Sequence, residues 1–135
     1  MALFKFNYRP AESETYMNPQ QLNYFREKLL RRQARLTRKL KETMQEIRDQ
    51  DFREADLFDR SDDSVFRDRK LRNCEHYRNL INQNEMALRR IEDGTFGYCR
   101  ITGEEIGLKR LEALPHALLS VEAQEMLESG VSQVA

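Results

Sequence analysis

The soft ligands and proton-transfer groups of this chain are few: two cysteines, Cys74 and Cys99, and two histidines, His76 and His116. Cys99 sits in Phe96-Gly97-Tyr98-Cys99-Arg100-Ile101-Thr102-Gly103. This is the outline of a zinc knuckle, a turn closed by Cys-x-x-Cys-Gly, with Thr102 where the second cysteine would stand. Downstream only His116 offers another donor. Two ligands fall short of the four N or S donors that a structural zinc takes, so no metal site is expected. Cys99 then reads as a small buried hydrophobe rather than a reactive thiol, and so does Cys74. The isolated histidines suit structural or surface roles, because nucleophilic catalysis needs a nucleophile, a base and an orienting group together. With no Gly-rich phosphate loop either, an enzyme is not expected.

The carboxylates say more. From Glu54 to Asp63 five acidic residues (Glu54, Asp56, Asp59, Asp62, Asp63) accompany one basic residue, Arg60. From Arg31 to Lys41 there are six basic residues (Arg31, Arg32, Arg35, Arg38, Lys39, Lys41) and no acidic one. Helix capping and the helix dipole account for Asp62 and Asp63 at the start of a helix. They account poorly for Asp56 and Asp59. Asp56 falls near the end of the preceding helix, where negative charge is unfavourable by roughly 0.3–1 kcal/mol. Asp56 and Asp59 are therefore the functional candidates. As a bare Asp-x-x-Asp pair they would hold Mg²⁺ only weakly. They would be repelled by a phosphate backbone and would suit a basic or metal-containing cavity in another protein. The basic stretch reads equally well as a solvated face or as a functional one.

The elements that must position these groups are helices. Residues 18–55 contain no Gly and one Pro; Asn18, Pro19 and Gln21 read as N-cap, N1 and N3. Leu22, Phe25, Leu29, Leu36, Leu40 and Ile47 form a narrow apolar stripe. Residues 62–93 lack Gly and Pro, with Ser61 and Ser64 available as caps. Their stripe is Cys74, Tyr77, Ile81, Asn84, Leu88 and Ile91, a strict seam whose polar member, Asn84, would fix register at a cost in stability. Gly94 stops the helix. Two narrow stripes joined by a short connection predict an antiparallel helical hairpin with its tip at 56–61. At 1.5 Å per residue a 30-residue arm reaches roughly 45 Å, so the hairpin is expected to project from a small body made of the termini. Residues 1–17 are expected to pack on that body. Residues 94–135 supply a degenerate finger and a last helix from Leu118 to Glu128, stopped at Ser129-Gly130. Leu108, Leu111, Leu114, Leu118, Leu119, Val121, Met126 and Leu127 are the expected apolar filling. The fold class is thus mainly α.

The 135 residues fit one domain. Lys and Arg (23) balance Asp and Glu (23), so no whole-chain field draws in nucleic acid. No apolar run resembles a signal peptide or membrane span, and a cytoplasmic, reduced protein is expected.

Several blocks resemble the DksA/TraR family of bacterial transcription factors. They are Tyr16-Met17-Asn18 with Gln21-Leu22, Asp56-Leu57-Phe58-Asp59-Arg60, and Glu92-Asp93-Gly94-Thr95-Phe96-Gly97-Tyr98-Cys99. Gly103-Glu104-Glu105-Ile106-Gly107 and Arg110-Leu111-Glu112-Ala113 before Pro115 complete the set. The resemblance covers about 16 to 128. It implies direct binding to RNA polymerase, with the hairpin in the secondary channel and the tip residues Asp56, Asp59, Arg60 and Ser61 approaching the active centre. It implies Asn73 and His76 as polymerase contacts on the hairpin, and modulation of initiation in the stringent response, often with the alarmone ppGpp. No promoter sequence would be read. Three departures stand out. The family's four zinc cysteines map to Cys99, Thr102, Ser120 and Ala123, which resembles the zinc-independent type of the family found in pseudomonads. Ser61 replaces the usual Ala after the tip's Asp-Arg. The basic residues of the alarmone site map to Gln83, Leu114 and Gln124, which weakens the expected ppGpp synergy. A Gre-like transcript-cleavage factor, using tip acids to hold a second Mg²⁺, is the alternative; a structural coiled-coil scaffold is another. An intramolecular hairpin satisfies its own seam and predicts a monomer.

Overall fold

The computed structural model describes residues 8–54 and 61–134, with side chains described for 8–53 and 64–130. Four helices follow one another: α1 (Pro19–Glu54), α2 (Ser61–Asp93), α3 (Leu108–Ala113) and α4 (Val121–Val134). Among the described residues there is no strand, only an isolated antiparallel bridge between Tyr98 and Glu105. The molecule is mainly α, as the periodicity predicts.

The start of α1 is built from its own sequence. Asn18 Oδ1 accepts the Gln21 N–H at 2.9 Å, and Gln21 Oε1 accepts the Met17 N–H at 2.8 Å. The reciprocal bond reaches one residue further back than in the usual capping box. Gln21 is fully buried, and its amide also donates to Glu14 Oε1 (3.2 Å) and Ala11 O (3.4 Å). One side chain thus caps the helix and anchors the segment before it. At the end of α2, Gly94 takes φ +80°, and Thr95 and Phe96 both donate to the Arg90 carbonyl (2.9 and 3.1 Å). This is the left-handed stop that glycine allows without steric penalty.

The described chain divides into two compact units. One is Arg32–Asn82, the middle of the hairpin. Here α1 and α2 run antiparallel: Asp51 pairs with Arg67, Glu46 with Lys70 (2.6 Å), and the Met44 sulfur lies 3.9 Å from the Arg78 guanidinium. Leu36, Thr43, Ile47 and Cys74 are buried along the seam, with Leu40, Tyr77 and Ile81 half-buried. Thr43 is tolerated because its hydroxyl donates to the Lys39 carbonyl at 2.8 Å.

The other unit combines the chain up to Arg31 with everything from Gln83 onward. Its core is Phe25, Leu29, Ala87, Phe96, Cys99, Ile106, Leu108, Leu111 and Ala123. Asn84, fully buried, donates its Nδ2 to the Leu29 carbonyl of α1 at 2.8 Å. A bond from one helix to the backbone of the other is satisfied at one relative position only. That is how a polar seam residue specifies register.

Two expectations need correction. Leu114, Val121, Met126 and Leu127 are exposed rather than core. The core lies between the ends of α1 and α2 and the finger, and α4 contributes Ala123 to it. The last helix begins at Val121 and continues through Ser129 and Gly130 to Val134. Ser120 starts it, its Oγ accepting the Ala123 N–H at 3.1 Å. Gly130 keeps a helical backbone instead of the left-handed one that would end the helix.

Tyr16 binds the finger to the start of α1. Its hydroxyl donates to Gly97 O (2.6 Å) and accepts the Gly107 N–H (3.0 Å). The close approach requires Gly97 at φ +92°, where an added Cβ would come within 2.8 Å of the Met17 side chain. Tyr16→Phe strands the Gly107 N–H and leaves Gly97 O with the Ile106 N–H alone, and is expected to cost about 1–3 kcal/mol. Denaturant titration checks this; an unchanged midpoint would contradict it.

Candidate functional site

Three places in the molecule bear on function. The first is the connection between α1 and α2. Asp56, Asp59 and Arg60 lie outside the described residues, and Ser61 is the first residue of α2. Of the hairpin contacts expected on α2, Asn73 is half-buried and His76 exposed. Their i, i+3 spacing sets them on neighbouring positions of one helix face. The His76 ring lies 6.1 Å from that of Tyr77.

The second is the finger. The chain turns back on itself between Gly97 and Ile106, with Cys99 N–H donating to Glu104 O (2.7 Å), Gly103 N–H to Cys99 O (2.9 Å) and Ile106 N–H to Gly97 O (2.8 Å). Cys99 is buried, 3% exposed. Burial pushes its thiol up. The Thr102 hydroxyl and the backbone N–H groups of Ser120, Thr102 and Ile101 push it down further, and the balance is a pKa of about 6. The Thr102 hydroxyl and the Ser120 backbone N–H thus lie near the Cys99 sulfur, and Ala123, 1% exposed, shares its core cluster. The four degenerate positions therefore converge. They cannot hold zinc as they stand: one thiol is present, Ala123 has no donor atom, and the Ser120 hydroxyl caps α4. Among the described residues no group of three or more His, Cys, Asp or Glu is placed to hold a metal.

A thiol whose folded pKa is about 6, against roughly 8.5 unfolded, makes stability pH-dependent. The folded value is the depressed one, so the contribution is complete above about pH 8.5 and is lost as pH falls through about 6. The melting temperature should rise between those values and stay flat in Cys99→Ser. Parallel curves for the two proteins would contradict this.

The third is a cavity of about 430 Å³ lined by Gln83, Leu114, Gln124, Arg100, Arg110 and His116, with Leu118 and Leu119. The three positions assigned to a weakened alarmone site are thus brought together. The sequence reading missed the two arginines beside them. Arg100 follows Cys99 directly, and Arg110 opens the Arg-Leu-Glu-Ala block, so both sat within motifs already singled out. Arg110 Nε is committed to the Leu119 carbonyl at 2.9 Å. Nearby, α3 is held to α1 by Lys28 and Glu112 at 3.0 Å. Burial raises the Glu112 carboxyl, but hydrogen bonds from Tyr24 and Lys28, with the Lys28 charge, bring it below its ordinary value.

Comparison with known proteins supplies what the geometry does not name. The N-terminal domain of the DnaK suppressor protein DksA matches residues 21–91, and the prokaryotic dksA/traR C4-type zinc finger matches residues 94–128. The chain belongs to the DksA/TraR family. A DksA/TraR relative from Caulobacter vibrioides (strain NA1000 / CB15N) is 47% identical over 124 residues, covering 92% of this chain and 87% of its own. One from Escherichia coli (strain K12) is 34% identical over 128 residues, covering 95% and 85%. Both are named RNA polymerase-binding transcription factor DksA. The solved structure of transcription factor DksA2 from Pseudomonas aeruginosa superposes with a TM-score of 0.76 at 32% identity, covering 92% of this chain and 94% of that one. Within residues 94–128, which match the C4-type finger, this chain has one cysteine, Cys99. Among the described residues no helix is long and apolar enough to cross a membrane.

Proposed function

We propose that this chain binds RNA polymerase directly and regulates transcription initiation by inserting the end of its hairpin into the polymerase secondary channel. The observation that carries the reading is the 47% identity, over 92% of the chain, to a protein named RNA polymerase-binding transcription factor. Two antiparallel helices cross-braced by ion pairs suit a stiff probe. In this reading Asp56 and Asp59 bring negative charge beside the basic and metal-bound groups of the active centre. Charge near the centre then alters the lifetime of initiation complexes with no DNA sequence being read. Arg60 and Ser61 flank the acids, and Asn73 and His76 contact the channel from α2.

The chain does this as a cytoplasmic monomer without zinc. Hydrogen bonds to the Cys99 sulfur and the apolar packing around Ala123 hold the finger in the metal's stead. Gln83, Leu114 and Gln124 bring no cation to their cavity, and Arg110 is partly engaged, so ppGpp adds little through this surface. Purified polymerase with a ribosomal promoter, with and without the chain and ppGpp, tests the reading. Binding together with altered open-complex lifetime is expected, with little change on adding ppGpp. Absence of binding would overturn it. Cleavage of RNA in backtracked complexes would replace initiation control with the Gre-like activity.

A further inference from the structure

The solvent face of α1 carries a feature that the tip mechanism does not use. Arg35, Arg38, Lys39 and Lys41 are all exposed. None forms a salt bridge among the described residues, although Lys28, Lys70 and Arg67 elsewhere do. Arg32, one turn before Arg35, is held below its ordinary pKa first by burial and then by the Arg35 charge. Its Nε is buried with no hydrogen-bond partner among the described residues. Like charges three and four residues apart oppose helix formation, so the fold maintains this concentration of charge at a cost. On the helix, Arg38 lies opposite Leu36, Thr43 and Ile47, which are buried along the seam, and Arg35 and Lys39 flank those positions with their side chains exposed. The stripe is therefore not part of the hairpin seam.

We infer that this stripe docks on an acidic surface patch of RNA polymerase and steers the hairpin into place; the inference rests on the function proposed above. Charge complementarity selects a protein over a nucleic acid. The basic run from Arg35 to Lys41 spans only roughly 9 Å of helix. Directly after it α1 turns acidic, with Glu42, Glu46, Asp49, Asp51 and Glu54 against Arg48 and Arg53. A nucleic-acid strand carries one sign of charge at every step and would be attracted by the first half of this helix and repelled by the second. A folded protein surface can present an acidic patch to the one and neutral or basic groups to the other.

Association of the full chain with polymerase should be measured across ionic strength for wild type and for the triple variant Arg35→Glu, Arg38→Glu, Lys39→Glu. Glutamate is a strong helix former, and circular dichroism checks that helicity is kept; the corresponding glutamine triple is read if it is not. The expected result is association slowed about tenfold or more at roughly 50 mM salt and less than about twofold at roughly 500 mM, with a flatter salt dependence. Arg35→Lys with Arg38→Lys should stay near wild type. The inference is overturned if wild type binds polymerase and the triple variant binds at the same rate at low salt. It is equally overturned if the triple variant loses affinity for a single-stranded RNA but not for polymerase. Failure of wild type itself to bind polymerase overturns the proposed function and takes this inference with it.

Discussion

Asp59→Asn should abolish regulation of a ribosomal promoter in a purified system while leaving polymerase affinity within about threefold. The substitution keeps the size and hydrogen-bonding reach of the side chain and removes only its charge. If the tip acts electrostatically near the active centre, that charge is the active element. With Asn73 and His76 of α2 and the basic residues of α1 as further proposed contacts, one residue between α1 and α2 should matter little to affinity. Asp56→Asn should follow the same pattern. Normal regulation by Asp59→Asn would mean that the hairpin works by blocking the channel, not by its charge. Equal losses of binding and regulation would make Asp59 a docking residue.

The second large effect concerns the finger. Thr102→Cys, Ser120→Cys and Ala123→Cys, made together, should create a tetrathiolate zinc site with Cys99. The Thr102 hydroxyl and the Ser120 backbone already lie near the Cys99 sulfur, and Ala123 packs in the same cluster. Structural zinc binding is worth ~10–16 kcal/mol where a finger folds only on binding metal. Here the finger folds already, so part of that appears as added stability: a rise in melting temperature of about 10 °C or more with zinc, removed by chelator. Wild type should show no chelator effect. A triple variant indifferent to zinc would mean that the four positions do not converge as described. A chelator-sensitive wild type would reveal a metal site built from other residues.

The parts of the fold governed by local periodicity were legible in the residues. The stripe from Leu22 to Ile47 and the seam from Cys74 to Ile91 follow helix geometry, so both long helices and their pairing could be read directly. The Asn18 cap and Gly94 stop were readable because capping depends on a few adjacent side chains. The body was harder. Ala87 and Ala123 are buried at 0% and 1%, yet a small side chain gives no hydrophobic signal of its own. Conversely, Met126 is apolar and 64% exposed, because the core closes elsewhere. Gly130 signalled a stop that the backbone of α4 does not take. In the candidate site, the convergence on Cys99 was implied by family resemblance, since residues some twenty apart in sequence carry no spacing rule of their own. Arg100 and Arg110 were missed because nothing local places a charged side chain in a cavity wall.

In the proposed complex the region between α1 and α2 reaches the interior of polymerase. Replacing Phe58, between Asp56 and Asp59, with a photoreactive phenylalanine analogue and irradiating the complex tests this directly. Crosslinks to polymerase segments that wall the secondary channel beside the active centre are expected. Crosslinks confined to the outer surface of polymerase, in a complex that still regulates the promoter, would contradict it.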